Sequence, residues 1–122
     1  VVVYNGNDSS PAWNFVDGDG ANGINKVTGN DAERPQLTVF DSKLYATWQE
    51  KASKKKQIRM VVYNGNDSSP AWNFVDGDGA NGINKDIGND AERSQLTVFD
   101  SELYATWQEK ASKKQIRVVK KE

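Results

Sequence analysis

The sequence repeats itself almost unchanged after 59 residues. Residues 1–53 align with residues 60–112, and only five of the 53 aligned pairs differ: Val1/Met60, Val27/Asp86, Thr28/Ile87, Pro35/Ser94 and Lys43/Glu102. The 122 residues are therefore two copies of one unit, 1–59 and 60–122, and both copies are expected to fold alike. Repeats this similar indicate a very recent duplication or a designed gene.

Each unit contains four short segments with the composition of β-strands. We label them A to D: Gln36–Phe40, Lys43–Glu50, Gln57–Tyr63 and Ala71–Val75. Turn-forming residues separate them, with a tight turn at Asp41-Ser42 and a polar tip at Lys51–Lys56. No stretch shows a sustained helical period of 3.6 residues. The pattern predicts an all-β chain of antiparallel meanders, with long loops at Asp17–Arg34 and Asp76–Arg93.

Strands B and C carry apolar residues on both faces. Leu44, Ala46 and Trp48 lie opposite Tyr45 in strand B, and Ile58, Met60 and Val62 lie opposite Val61 and Tyr63 in strand C. A sheet with one face in water does not need this pattern, whereas a sheet packed between two others does. A four-stranded antiparallel sheet stacked between copies of itself is a β-propeller blade. The alternative is a compact two-repeat sandwich.

The chain starts and ends inside a blade. It begins in strand C (Val1–Tyr4), completes strand D, forms one whole blade over residues 36–75, and stops after A, B and part of C. These two circularly permuted blade equivalents are expected to form one propeller fragment rather than two independent domains. Propellers typically have four to eight blades, so two blades cannot close a ring.

The expected partner is a second copy of the chain, in a head-to-tail homo-oligomer. A tetramer with eight blades is favoured, and a trimer with six blades is the alternative. The residues expected at the contacts are Val1, Val2, Val3, Tyr4, Trp13, Phe15, Trp107, Ile116, Val118 and Val119. Val118-Val119 and Val1-Val2 would occupy the same positions in strand C, so the charged end Lys120–Glu122 is expected to be displaced.

The segments PQLTVFDSKLYATWQE, QIRMVVYNG and AWNFVDGDGANGINK resemble the blade of a bacterial tandem-repeat propeller family. With copies this alike, the chain is similar to the computationally designed symmetric propellers built from that blade, the Cake and Scone type. The resemblance covers essentially the whole chain and implies a ring of identical blades whose number is set by assembly. Designed members are scaffolds with no assigned activity or ligand site, so the resemblance transfers no functional residue.

The residue types present exclude several kinds of chemistry. With no Cys and no His, the chain has no disulfide, thiolate nucleophile, Cys/His zinc site or histidine-based triad. Asp31, Glu33 and Glu50 are the carboxylates that paired acid–base catalysis would use, but nothing in the pattern sets their separation. We therefore predict no catalytic residue, no enzymatic activity and no cofactor.

The two long loops offer only a weak candidate for a cation site. They carry the hard oxygen ligands that calcium prefers: Asp17, Asp19, Asn22, Asp76, Asp78 and Asn81. Their spacing departs from the EF-hand pattern, because Asn22 stands where that pattern has Gly and no Glu follows at its last position. Solvated carboxylates in a turn are the favoured interpretation, and no metal site is predicted.

The aromatic side chains leave one alternative function open. Stacking of sugars on them would make the chain a carbohydrate- or cation-binding, lectin-like propeller module, but their places inside strands favour packing: Trp13, Trp48, Trp72 and Trp107. The hairpin lysines lie among acids and the net charge is −1, which argues against a nucleic-acid partner. Lys43 and Glu102 place opposite charges at equivalent turns, where they could tune assembly.

No apolar run approaches the roughly 20 residues that a membrane span needs, and the N-terminus has no signal-peptide pattern. We expect a soluble protein with no membrane partner, and the sequence predicts no particular compartment. The predicted function is that of a structural, self-assembling β-propeller scaffold.

Overall fold

The computed structural model describes residues 1–17, 23–52, 55–77, 82–86 and 88–122. These residues form no helix, and so none that could cross a membrane. They form nine β-strands: β1 (Val2–Tyr4), β2 (Trp13–Phe15), β3 (Ala32–Phe40), β4 (Lys43–Ala52), β5 (Lys55–Tyr63), β6 (Trp72–Phe74), β7 (Asp90–Phe99), β8 (Glu102–Lys110) and β9 (Lys114–Lys120). The all-β class that the sequence predicts is confirmed.

The strands form three antiparallel sheets in which neighbours along the chain are neighbours in space. The N-terminal sheet contains β1 and β2, the central sheet has the order β3-β4-β5-β6, and the C-terminal sheet has the order β7-β8-β9. Strands A to D of the sequence therefore correspond to β3 to β6, and the predicted meander is confirmed.

The long loop before the central sheet is shorter than predicted, because β3 begins at Ala32 rather than at Gln36. Ala32 pairs with Glu50, and the register then shifts between Glu33 and Gln36. Arg34 has a φ of 56° and Pro35 has no N–H to donate, so the two residues between form a bulge instead of ending the strand. The predicted loops Asp17–Arg34 and Asp76–Arg93 were therefore both wrong at their C-terminal ends, because β3 begins at Ala32 and β7 begins at Asp90.

The hairpin between strands A and B turns through the two residues that the sequence predicts. Asp41 and Ser42 have φ values of 51° and 59°, and the flanking Phe40 and Lys43 pair directly. Two successive positive φ values are typical of the type I′ turn, whose twist matches that of the strands. The polar tip of the next hairpin is shorter than Lys51–Lys56, because β4 continues to Ala52 and β5 starts at Lys55.

The central sheet buries apolar side chains on both faces, as its apolar pattern predicts. One face packs against the C-terminal sheet through a buried cluster: Tyr45, Ile58, Met60, Ala91, Leu103, Ala105 and Trp107. The other face has a second buried cluster of Ala46, Trp48 and Val61, against which Ile24 and two residues of β6, Trp72 and Phe74, are packed. The indole N–H of Trp72 donates to the Val16 carbonyl oxygen at 2.8 Å and ties this face to the N-terminal sheet.

Candidate self-association site

The contact between the central and C-terminal sheets joins two unlike faces of the same repeated sheet. The central sheet contributes Tyr45 from β4, and the C-terminal sheet contributes Trp107 from β8. In each strand the tyrosine and the tryptophan are three residues apart and therefore lie on opposite faces. Trp48 thus lies on the face of the central sheet away from this contact, and Tyr104 on the far face of the C-terminal sheet. We call the two faces of each sheet the Tyr face and the Trp face. The sheets stack head to tail, Trp face on Tyr face.

Hydrogen bonds across this internal interface align the two sheets. The backbone N–H of Arg93 donates to Gln49 Oε1 at 2.8 Å, and the N–H of Lys56 donates to Asp90 Oδ1 at 2.9 Å. Thr47 also hydrogen-bonds Ser94 through their hydroxyl groups at 3.2 Å. Because buried polar groups need such partners, these contacts select one register of the two sheets.

The segment that follows β6 forms hydrogen bonds to both the central and the C-terminal sheet. Ile83 donates its N–H to the Ile58 oxygen at 3.0 Å, and Asn84 Oδ1 accepts the Ile58 N–H at 2.9 Å. The next residue, Lys85, lies beside β8, and its backbone N–H donates to the buried Glu109 carboxylate at 2.8 Å. One edge of β5 is thereby bonded to the next repeat.

The C-terminal sheet exposes the face that the central sheet buries. Ile58 and Ile116 are repeat equivalents on β5 and β9, yet Ile58 is 0% exposed and Ile116 is 71% exposed. Met60 and its equivalent Val118 show the same contrast, one buried and the other exposed. Two neighbouring exposed apolar side chains on an uncovered sheet face mark this Tyr face as a candidate contact surface.

At the other end of the chain, the Trp face of the central sheet is only partly covered. A groove of about 530 Å³ opens there, lined by residues that include Val1, Ile24, Leu37, Ala46 and Trp48. Leu37 is exposed, whereas its repeat equivalent Leu96 packs against the internal interface. Four of its lining residues, Ala32, Leu37, Ala46 and Trp48, are repeat equivalents of residues that pack in the internal interface: Ala91, Leu96, Ala105 and Trp107.

Strand β2 presents two exposed aromatic side chains. Trp13 is 61% exposed and Phe15 is 74% exposed. Their equivalents are half-buried, because Trp72 is bonded to Val16 and the ring of Phe74 meets Trp48 at 6.0 Å. The aromatic pair of β2 has no such covering among the described residues.

A second cavity lies beside β9, where the C-terminal sheet has no fourth strand. It measures about 420 Å³ and is lined by Met60, Val75, Ile83, Leu103, Ala105, Val119 and the tail Lys120–Glu122. In the central sheet, the positions equivalent to Ile83 and Ala105 are Ile24 and Ala46, which pack against Trp72 and Phe74. The cavity therefore lies where an aromatic strand equivalent to β6 would fit.

The remaining residues predicted at contacts lie in different environments. Val2, Val3 and Val119 are exposed, and the Tyr4 ring packs against Trp13 with ring centroids 5.0 Å apart. Trp107 is buried inside the chain, in the internal interface, so its side chain is not available for a contact between copies.

Two of the loop acids form ion pairs with cationic groups of the same chain. Asp76 forms an ion pair with Arg59, and Asp17 lies 3.8 Å from the α-amino group of Val1. Burial raises the pKa of Asp76, while the Met60 N–H and the Arg59 charge lower it. The other weak metal candidates, Asp19, Asn22, Asp78 and Asn81, lie outside the described residues, and no cluster of metal-ligating side chains occurs within them.

Several charged side chains are engaged within the sheets. The buried Glu50 accepts the Lys26 N–H at 2.8 Å and the Trp48 indole N–H at 3.3 Å, just as Glu109 holds its own loop. Glu102 lies 3.8 Å from Lys120 across β8 and β9. Each tyrosine of the C–D hairpins bonds a following acid: Tyr4 donates to Asp8 and Tyr63 to Asp67.

No protein-family model, curated protein or solved structure matches the chain with significance. The contacts of the chain itself therefore carry the functional proposal.

Proposed function

We propose that the chain is a structural subunit that assembles head to tail into a closed β-propeller ring. The observation that carries the proposal is the contrast between Ile58 and Ile116, which both occur in the segment KKQIR but have opposite burial. The Tyr face of the central sheet is covered by the second repeat of the same chain, whereas the equivalent Tyr face of the C-terminal sheet is exposed. The complementary groove, with Leu37 at its edge, is open at the N-terminal end.

The internal interface serves as the template for the contact between chains. The Tyr face of the C-terminal sheet, with Ile116, enters the groove on the Trp face of the next chain's central sheet, as Ile58 meets the C-terminal sheet within one chain. Because each chain uses one surface of each kind, the contact is heterologous and grows into a ring when its rotation closes.

Strand β2 of the next chain completes the C-terminal sheet. Its Trp13 and Phe15 fill the cavity beside β9, in contact with Ile83 and Ala105, as Trp72 and Phe74 pack beside Ala46 in the central sheet. Each such composite sheet becomes a four-stranded blade. The open sheet edge and the exposed apolar face are then covered together.

The favoured ring contains four chains and eight blades, and three chains with six blades is the alternative, since propellers have typically four to eight. The near-identity of the two copies supports a scaffold built from one repeated unit, of designed or recently duplicated origin. The proposal assigns the chain no catalytic role.

Native mass spectrometry tests the assembly directly, because the chain has a mass of 13.5 kDa and the ring is a multiple of it. Two single variants block opposite surfaces: Ile116→Glu on the Tyr face and Leu37→Glu in the groove. Both side chains are exposed in the isolated chain, so each variant is expected to fold and to remain monomeric.

The mixture of these two variants gives the sharper result. The Leu37→Glu chain keeps its C-terminal surface and the Ile116→Glu chain keeps its groove, so the equimolar mixture should form a dimer and stop there. A wild-type chain that stays monomeric at all concentrations overturns the proposal. Two monomeric variants that do not combine would show that the contact is not head to tail.

A further inference from the structure

One buried ion pair joins the last two strands of the central sheet. Arg59 lies on β5, and Asp76 follows β6 by two residues. Arg59 Nε stands 3.0 Å from Asp76 Oδ2, and both side chains are 2% exposed. The same carboxylate accepts the backbone N–H of Met60 at 3.2 Å, and the Arg59 guanidinium lies over the Phe74 ring at 5.3 Å. Arginine, carboxylate and aromatic ring thus link the third and fourth strands of a complete sheet.

The repeat places the two halves of the equivalent pair at opposite ends of the chain. Asp17 follows β2 by two residues, and Arg117 lies on β9. Arg117 Nε is buried and has no hydrogen-bond partner among the described residues, although its Nη2 donates to Gln115 at 3.2 Å. The Asp17 carboxylate lies 3.8 Å from the Val1 α-amino group, which takes the position that the Met60 N–H has beside Asp76. Among the described residues, Asp17 forms no ion pair with an arginine.

We propose that Arg117 of one chain and Asp17 of the next form a buried ion pair that repeats Arg59–Asp76 across the junction. This inference rests on the proposed head-to-tail assembly and names the charged residues that close its composite sheet. The partner is a second copy of this chain, recognised by its Asp17 carboxylate beside β2.

The strand geometry brings the two groups together once β1 of the next chain takes the strand positions of Val119, Lys120 and Lys121 in the C-terminal sheet. In the central sheet, Val61 pairs with Phe74 and Tyr63 pairs with Trp72. When β2 lies beside the strand of β9 in that register, Phe15 takes the place of Phe74 and Asp17 that of Asp76. Arg117, two residues before Val119, then faces the carboxylate and covers the Phe15 ring.

Charge balance favours the pair over either residue alone. The Arg117 guanidinium, whose buried Nε has no acceptor among the described residues, and the Asp17 carboxylate, 3.8 Å from the Val1 ammonium, both lose hydration when the junction closes. Their mutual contact compensates both losses. Removal of one partner of such a pair leaves the other charge buried and unpaired, which is the larger cost.

A double-mutant cycle on association tests the pair, with Asp17→Asn, Arg117→Met and the variant that combines them. We expect each single variant to weaken the junction about tenfold or more, and the double variant to be weakened by clearly less than the product of both factors. Analytical ultracentrifugation over a concentration series gives the dissociation constants.

The matched control is Asp76→Asn, which breaks the same pair inside one chain. It should lower the stability of the isolated chain, whereas Asp17→Asn should lower association and leave the unfolding of the isolated chain nearly unchanged. Independent, multiplicative effects of Asp17→Asn and Arg117→Met in a wild type that assembles would overturn the ion pair alone. A wild type that never assembles would overturn the proposed function as well.

Discussion

Gly82 lies so close to β5 that a Cβ added to it would stand 2.1 Å from the backbone oxygen of Ile58. Its repeat equivalent Gly23 has the same φ of +62°, but among the described residues the nearest atom to such a Cβ is Asn25 Oδ1, at 4.0 Å. The difference arises because no strand equivalent to β5 lies beside Gly23 among the described residues. In the proposed ring, Ile116 of the neighbouring chain takes the place of Ile58.

Alanine at the two glycines should therefore affect two different properties. Gly82→Ala should lower the free energy of unfolding of the chain by about 2–4 kcal/mol, because a backbone atom must move. Gly23→Ala should cost only about 1 kcal/mol of backbone strain but should weaken association strongly. Denaturant unfolding in the monomeric Ile116→Glu background and sedimentation in the wild-type background measure the two effects. Equal association of Gly23→Ala and wild type would contradict the placement of Ile116.

The two-residue turn at Asp41-Ser42 leaves room for a gain in stability. Both residues hold positive φ values, which side chains other than Gly and Asn adopt at a cost. Replacement by Asn-Gly should raise the free energy of unfolding by about 1 kcal/mol, measured by urea titration. The equivalent turn at Asp100-Ser101 has φ values of 50° and 60° and should respond alike. A loss at both turns would argue against the type I′ conformation.

Alkaline pH should weaken the C–D hairpin of the central sheet. Burial and the hydrogen bond to Asp67 raise the pKa of Tyr63 from 10.0 to about 12. Since the folded hairpin holds this proton more tightly than the unfolded chain, its contribution to stability is complete below pH 10.0 and is lost as the pH rises towards about 12. A tyrosine-selective NMR titration should show the pKa of Tyr63 falling in Asp67→Asn. The matched variant Asp8→Asn should lower that of Tyr4 instead, because Asp8 raises it.

The C-terminal tail should compete with the incoming β1 for one strand position. Lys121 is the repeat equivalent of Tyr63, which stacks on Trp72 at 4.8 Å, and Tyr4 already makes the same contact with Trp13. A chain that ends at Arg117 should therefore associate more tightly than the full chain, as measured by ultracentrifugation. A chain lacking residues 1–3 should associate less tightly. The reverse order would show that β9, not β1, completes the composite sheet.

The repeat and the two-residue period predicted most of the secondary structure. The turn at Asp41-Ser42 and the meander from β3 to β6 follow from local chemistry, namely turn-forming residues between alternating segments. The start of β3 at Ala32 could not be predicted in this way, because Arg34 and Pro35 look like loop residues. Only the pairing of Ala32 and Glu33 with β4 shows that the strand resumes across a bulge.

The sequence predicted apolar contact residues such as Ile116 and Trp13, since apolar strand residues are rarely left in water, and their contact with a second copy stays a prediction. Arg117 and Asp17 were not among those contact residues, because a lone arginine in a strand and an acid in a loop carry no signal of their own. The signal was available in the other copy, where Arg59 and Asp76 stand at equivalent positions.

The amino-acid sequence by itself determined the unit of the structure, a four-strand repeat with apolar residues on both faces, because strand propensity and alternation are local properties. The tertiary structure alone decided which of the two similar Tyr faces is covered. Ile58 and Ile116 both occur in the segment KKQIR, so this local pattern does not distinguish them. Ile58 is buried and Ile116 is exposed because burial depends on whether another sheet lies opposite, and the chain supplies that sheet only once.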